Sequence, residues 1–159
     1  MSPFHALLIA FLIGIVCGLR SLTAPAAVAW AAHAGWLNLN RTPLSVMGST
    51  AAVAIFTVLA IGELVADKLP STPSRTAPPG LIARIVLGGL SGACVAAAGI
   101  QSITVGSCLG VAGGLTGTFA GYQARTGLVR ALNVPDLVIA LLEDALAIGG
   151  SLFLVSRFQ

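Results

Sequence analysis

Four carboxylates sit where carboxylates are costly. Glu63 and Asp67 are four residues apart in an apolar stretch, so a helix there aims both at one place. Glu143 and Asp144 form a second acidic pair inside the last apolar stretch. Clustered carboxylates raise one another's affinity for protons and cations, so the four together are a candidate ion, proton or polar-ligand site. Arg20, Arg84 and Arg125 lie within or at the ends of similar stretches and are the candidates to balance that charge or contact an anion. An ionised side chain in hydrocarbon costs at least about 2.5 to 3.5 kcal/mol, so all of these groups should face inward and pair. Arg84 with Glu63 or Glu143 is the pairing their depths favour.

Other chemistry has less support. No set of nucleophile, base and metal ligands is visible, so neither an enzyme nor a cofactor or metal is expected. Cys17, Cys94 and Cys108 lack the paired spacing of a metal site or disulfide framework and read as small hydrophobes. His5 and His33 are isolated and suit the water boundary. Lys68 and Arg75, among the hydroxyls of the Pro70 to Pro79 segment, could contact a phosphate or lipid headgroup, although no glycine-rich phosphate loop is present.

The elements that must position these groups are membrane helices. Of 159 residues, 57% are hydrophobic and 8% charged, too few charges to solvate a soluble domain of this length. The net charge of +3 is too small for a nucleic-acid surface. The expected fold is all-α, a single domain of about five transmembrane helices.

The first span runs from about Phe4 to Gly35, too long for one straight crossing, and a kink near Pro25 or a tilted helix with an interfacial tail is expected. The Ala6 to Leu19 core could be mistaken for a signal peptide, but Arg20 follows it rather than preceding it. Further spans are expected from about Val46 to Leu69, Gly80 to Ile100, Thr104 to Ala124 with an extension to Leu132 left open, and Leu137 to Val155. Five crossings gather Lys68, Arg75, Arg84, Arg125 and Arg130 on the side of the N-terminus, against Arg41 and Arg157 on the other. The positive-inside rule then puts the N-terminus in the cytoplasm and the C-terminus outside.

Glycines recur at close-packing spacing, notably Gly106, Gly110 and Gly114, which suits packing within the chain, a homodimer seam or a close-fitting ligand groove. Gly18-Leu19 resembles Gly114-Leu115, and Leu59 to Gly62 recurs as Leu146 to Gly149, which hints at a two-helix inverted repeat around the third span.

The motifs Gly18-Leu-Arg20-Ser-Leu-Thr-Ala-Pro25 and Gly62-Glu63-Leu-Val-Ala-Asp67-Lys68-Leu-Pro70 resemble a bacterial family of small multi-pass membrane proteins catalogued as a domain of unknown function. The resemblance extends through Thr76 and the glycine-rich third span, and its specific part is Glu-Leu-x-x-Asp-Lys-x-Pro. It implies a protein of the bacterial inner membrane with no settled activity and no catalytic residues to carry over. The Pro-rich loop after Pro70 is shorter here than in longer members. The residues themselves favour a transporter or channel-like protein for an ion or small polar solute, with membrane lipids and a second copy as partners. The rival is a lipid-binding or structural module in which the same charges only join helices.

Overall fold

In the computed structural model, residues 2–67 and 77–159 are described. These residues form six α-helices and no strand: α1 (Pro3–Leu19), α2 (Thr23–His33), α3 (Thr50–Ala66), α4 (Pro78–Ala98), α5 (Ile103–Leu132) and α6 (Asp136–Ser156). A 3-10 turn at Ser45–Gly48 precedes α3. The helix ends follow from local chemistry. Ser2, Ser49 and Ser102 accept amides of the first turns of α1, α3 and α5. Prolines open α1 and α4, where no amide partner is needed. Asn133, in the left-handed region at φ 49°, ends α5, and Pro135 leads into α6.

α4, α5 and α6 are each long and apolar enough to cross a membrane, and α1 and α3 are apolar but shorter, at 17 residues each. The expected single first span is two helices. The chain breaks at Arg20 to Leu22, not at Pro25, which sits in the first turn of α2. A proline ring clashes with the carbonyl four residues before it, here that of Ser21, so the proline sets the break one turn upstream of itself. The freed Ser21 carbonyl accepts the Cys17 thiol at 3.2 Å.

Glycine contacts fix the direction of the helices. Gly14 meets Gly110 and Gly18 meets Gly114, so α1 runs parallel to α5. Gly88 meets Gly110, Gly92 meets Gly106, and Gly99 lies over Ala6, so α4 runs antiparallel to both. A methyl group on Gly110 would stand 2.1 Å from the Gly88 carbonyl oxygen, and one on Gly14 would stand 2.3 Å from that of Gly110. The backbones of α4, α5 and α1 therefore touch, and the glycine ladder is used within the chain.

These directions bear on two expectations. The helices carrying the Gly18 and Gly114 matches run the same way and those carrying the Leu59 and Leu146 matches run opposite ways, so an inverted repeat is not confirmed. α6 runs antiparallel to α1, with Asp144 at Arg20 and Gly150 at Val16, so the two termini lie toward one end of the bundle. An odd number of helices would put them at opposite ends; with the first span divided at Ser21, the described residues form six.

α2 is buried on almost every side, through Ala24, Pro25, Ala27, Val28, Ala29 and Ala31, and packs on α3, α4 and α6. It runs antiparallel to α3, joined by Ser21 to Glu63 at one end and by His33 to the Gly48 carbonyl at the other. Ile13, Val28, Leu37, Val95, Ala147 and Val155 belong to one apolar core that unites the α1, α2, α4 and α6 segments.

Candidate functional site

The break between α1 and α2 strands backbone groups in an apolar bundle, and the charged residues converge on it. Were the helix continuous, the amides of Ser21 and Leu22 would bond to carbonyls of α1. Instead both turn to Glu63 of α3: Ser21 N donates to Oε1 at 2.8 Å and Leu22 N to Oε2 at 2.9 Å. The Ser21 hydroxyl also donates to Oε1, at 2.5 Å. α2 has no side-chain cap of its own, so a carboxylate from another helix caps it, where the positive end of the helix dipole favours an anion.

One carbonyl orphaned by the same break is that of Gly18. It accepts the Arg84 Nε at 3.1 Å and the Thr118 hydroxyl at 3.4 Å. Arg84 also donates through Nη1 to the Gly80 carbonyl at 3.1 Å. In these contacts Arg84 serves backbone carbonyls. Its guanidinium compensates a lost helical hydrogen bond, a need invisible without the position of the break.

Arg20 caps the C-terminus of α1 and is fully buried. Its guanidinium forms ion pairs with Asp67, at the end of α3, and with Asp144 of α6. Three helices are thereby tied to one side chain. Beside it, Arg125 of α5 grips Asp136 with two bonds, Nε to Oδ1 at 2.8 Å and Nη2 to Oδ2 at 2.5 Å, and reaches Glu143 at 3.4 Å through Nη1. Glu143 and Asp144 are consecutive, so α6 links the two clusters, and all five carboxylates of the chain join one polar layer.

Of the candidate residues, Arg20 pairs with Asp67 and Asp144, Arg125 pairs with Glu143, and Glu63 and Arg84 bind backbone groups at the break between α1 and α2. Lys68 and Arg75, the proposed headgroup contacts, lie outside the described residues. Sequence reasoning missed Asp136, although an acid in the first turn of a helix following Asn133-Val-Pro is a signal, because the two helices of a tight hairpin face each other at that turn. It also missed Ser21 and Thr118, whose hydroxyls look like ordinary helix residues until the break is located. Cys108 faces outward on α5, while Cys17 and Cys94 are buried as expected. Among the described residues no group of three or more His, Cys, Asp and Glu is placed to hold a metal ion.

Chemically, the layer holds ionisable groups from several helices in direct contact, with Arg20 fully buried among them. Charge-assisted bonds of this kind are strong while every partner is present, and removing one leaves a desolvated charge. The protein is therefore a helical, membrane-type bundle organised around a buried ion-pair layer at a broken helix. The chain belongs to the DUF4126 family, described as a domain of unknown function, which it matches over residues 7–156. No curated protein and no solved structure matches it.

Proposed function

We propose that the chain is a small membrane transport protein that passes an ion or small polar solute by way of the Arg20 layer. The observation that carries this reading is the broken helix itself: two helix ends meet inside the bundle beside a fully buried arginine held by Asp67 and Asp144. Interrupted helices whose ends face ionisable groups are how membrane transporters build solute sites, because freed amides and carbonyls supply ligands that a continuous helix cannot. As glue alone the arrangement is poor, since a buried ion pair is often no more stabilising than apolar packing of the same volume. In this reading Glu63, Asp67, Glu143 and Asp144 take the proton or cation, and Arg20, Arg84 and Arg125 hold the balance of charge.

The sidedness follows from the bases. Arg84, Arg125 and Arg130 belong to the end that bears the polar layer, and Lys68 and Arg75 follow Asp67 in sequence. The positive-inside rule assigns that end to the cytoplasm, which leaves both termini on the outer side.

The test is flux through the protein reconstituted in liposomes, with protons, sodium, potassium and small neutral solutes offered in turn. Glu63→Gln should lower flux at least tenfold. Unchanged flux in a Glu63→Gln protein that melts at the wild-type temperature removes the site. One observation favours a second reading, a structural or lipid-binding module: each described ion pair joins different helices, so the charges also act as ties. Wild-type protein that carries none of these solutes and retains bound lipid in native mass spectrometry supports that reading instead.

A further inference from the structure

α3 is held in the bundle differently from its neighbours. Of its 17 residues only Val53 and Ala60 are buried, whereas α1 buries eight and α4 nine. It packs chiefly on α2, and Ile55, Val58, Leu59, Ile61 and Val65 face outward. Its firm attachments are polar. At one end Glu63 holds the Ser21 and Leu22 amides and Asp67 holds Arg20; midway the Trp30 indole donates to the Thr57 hydroxyl at 3.0 Å.

Both acids stand at the wrong end of their helix. A helix C-terminus carries partial negative charge, so a carboxylate in the last turn and another at the C-cap weaken α3 unless positive partners oppose them. Arg20 and the N-terminal amides of α2 supply that opposition only while α3 is docked. Gly62 directly precedes Glu63, and a methyl group there would meet nothing within 4 Å, so packing gives no reason for glycine. What glycine does supply is a backbone that bends easily inside a helix.

We propose that α3 is a latch: its carboxylate end releases from Arg20 and α2, hinging at Gly62, and so opens the Arg20 junction to solute. This deepens the transport reading by naming what regulates access to the site. Release needs no rearrangement of the glycine ladder, because α1, α4 and α5 pack on one another without α3. Anything that neutralises Glu63 and Asp67 favours the open form, since it removes the attraction to Arg20 and the α2 amides at one stroke.

Hydrogen exchange on the full chain in lipid nanodiscs tests the latch. In the wild-type protein the amides of residues 60–67 should exchange at least tenfold faster than those of Gly88 to Ala96 and Gly106 to Gly117. Glu63→Gln combined with Asp67→Asn should raise the α3 rate a further tenfold and leave α4 and α5 unchanged, and Gly62→Ala should lower it severalfold. Equal protection of α3 and α4 in the wild type overturns the proposal, as does a rise shared by all six helices in the double variant. Should that variant not fold, the wild-type and Gly62→Ala comparison decides, and an unaltered rate in Gly62→Ala overturns the hinge. An α3 that opens in a protein carrying no flux keeps the latch and ends the transport reading; flux through a protein whose α3 never opens does the reverse.

Discussion

A fully buried guanidinium is tolerable only with its partners in place, and Arg20 shows what each partner contributes. Asp67 is about one-fifth exposed and Asp144 about one-tenth, so water relieves little of the cost if the arginine is taken away. Arg20→Met should destabilise the protein by roughly 3 kcal/mol, near the lower end of the range for breaking a buried pair, because Asp67 keeps some contact with solvent. Thermal melts in detergent check this, and a loss below about 1 kcal/mol would show that the carboxylates find other cations at no cost. The residue scale is also where the sequence was most legible. Charges inside apolar stretches announce themselves, and Arg20, Asp67, Asp144, Arg125 and Glu143 do form ion pairs. Their pairing was not legible, because it depends on which backbone groups lose their helical partners: Glu63 is drawn to two amides and Arg84 to one carbonyl that exist as free groups only because the chain breaks at Ser21.

The helices themselves were read closely in α4, α5 and α6, where long apolar runs end in strong signals such as Ser102, Asn133 and Pro135. In the sequence the first span is one apolar element, because Pro25 marks where a helix cannot continue but not on which side the chain breaks. The glycines show how such elements find each other. Gly110 contacts α1 and α4 together, and a methyl group there would lie 2.1 Å from the Gly88 carbonyl oxygen, with backbone rather than a movable side chain in the way. Gly110→Ala should therefore cost about 1–3 kcal/mol through overpacking, despite alanine being the better helix former. Gly149 on α6 has nothing within 4 Å, so Gly149→Ala should be neutral or slightly stabilising. Equal melting temperatures for the two variants would mean that the α1, α4 and α5 backbones are not in contact.

At the scale of the whole molecule, one three-residue break changes the topology. A continuous first span would make five crossings and separate the termini across the bilayer; splitting it into α1 and α2 makes six helices and returns the C-terminal end of α6 to the side of Pro3. In the sidedness proposed above, Arg84, Arg125 and Arg130, at the end opposite both termini, are the bases that would mark that end as cytoplasmic. No hydropathy pattern could reveal this, since α1 and α2 together read as one apolar stretch and the evenness of the helix count depends on geometry at Ser21. Reporters fused to the two ends check it directly. An enzyme active only outside the cytoplasm should work at either terminus, and one that fluoresces only inside should be dark at both. Opposite signals at the two ends would require α1 and α2 to cross as a single tilted segment, and would separate Arg20 from the helix ends that Glu63 and Arg84 now satisfy.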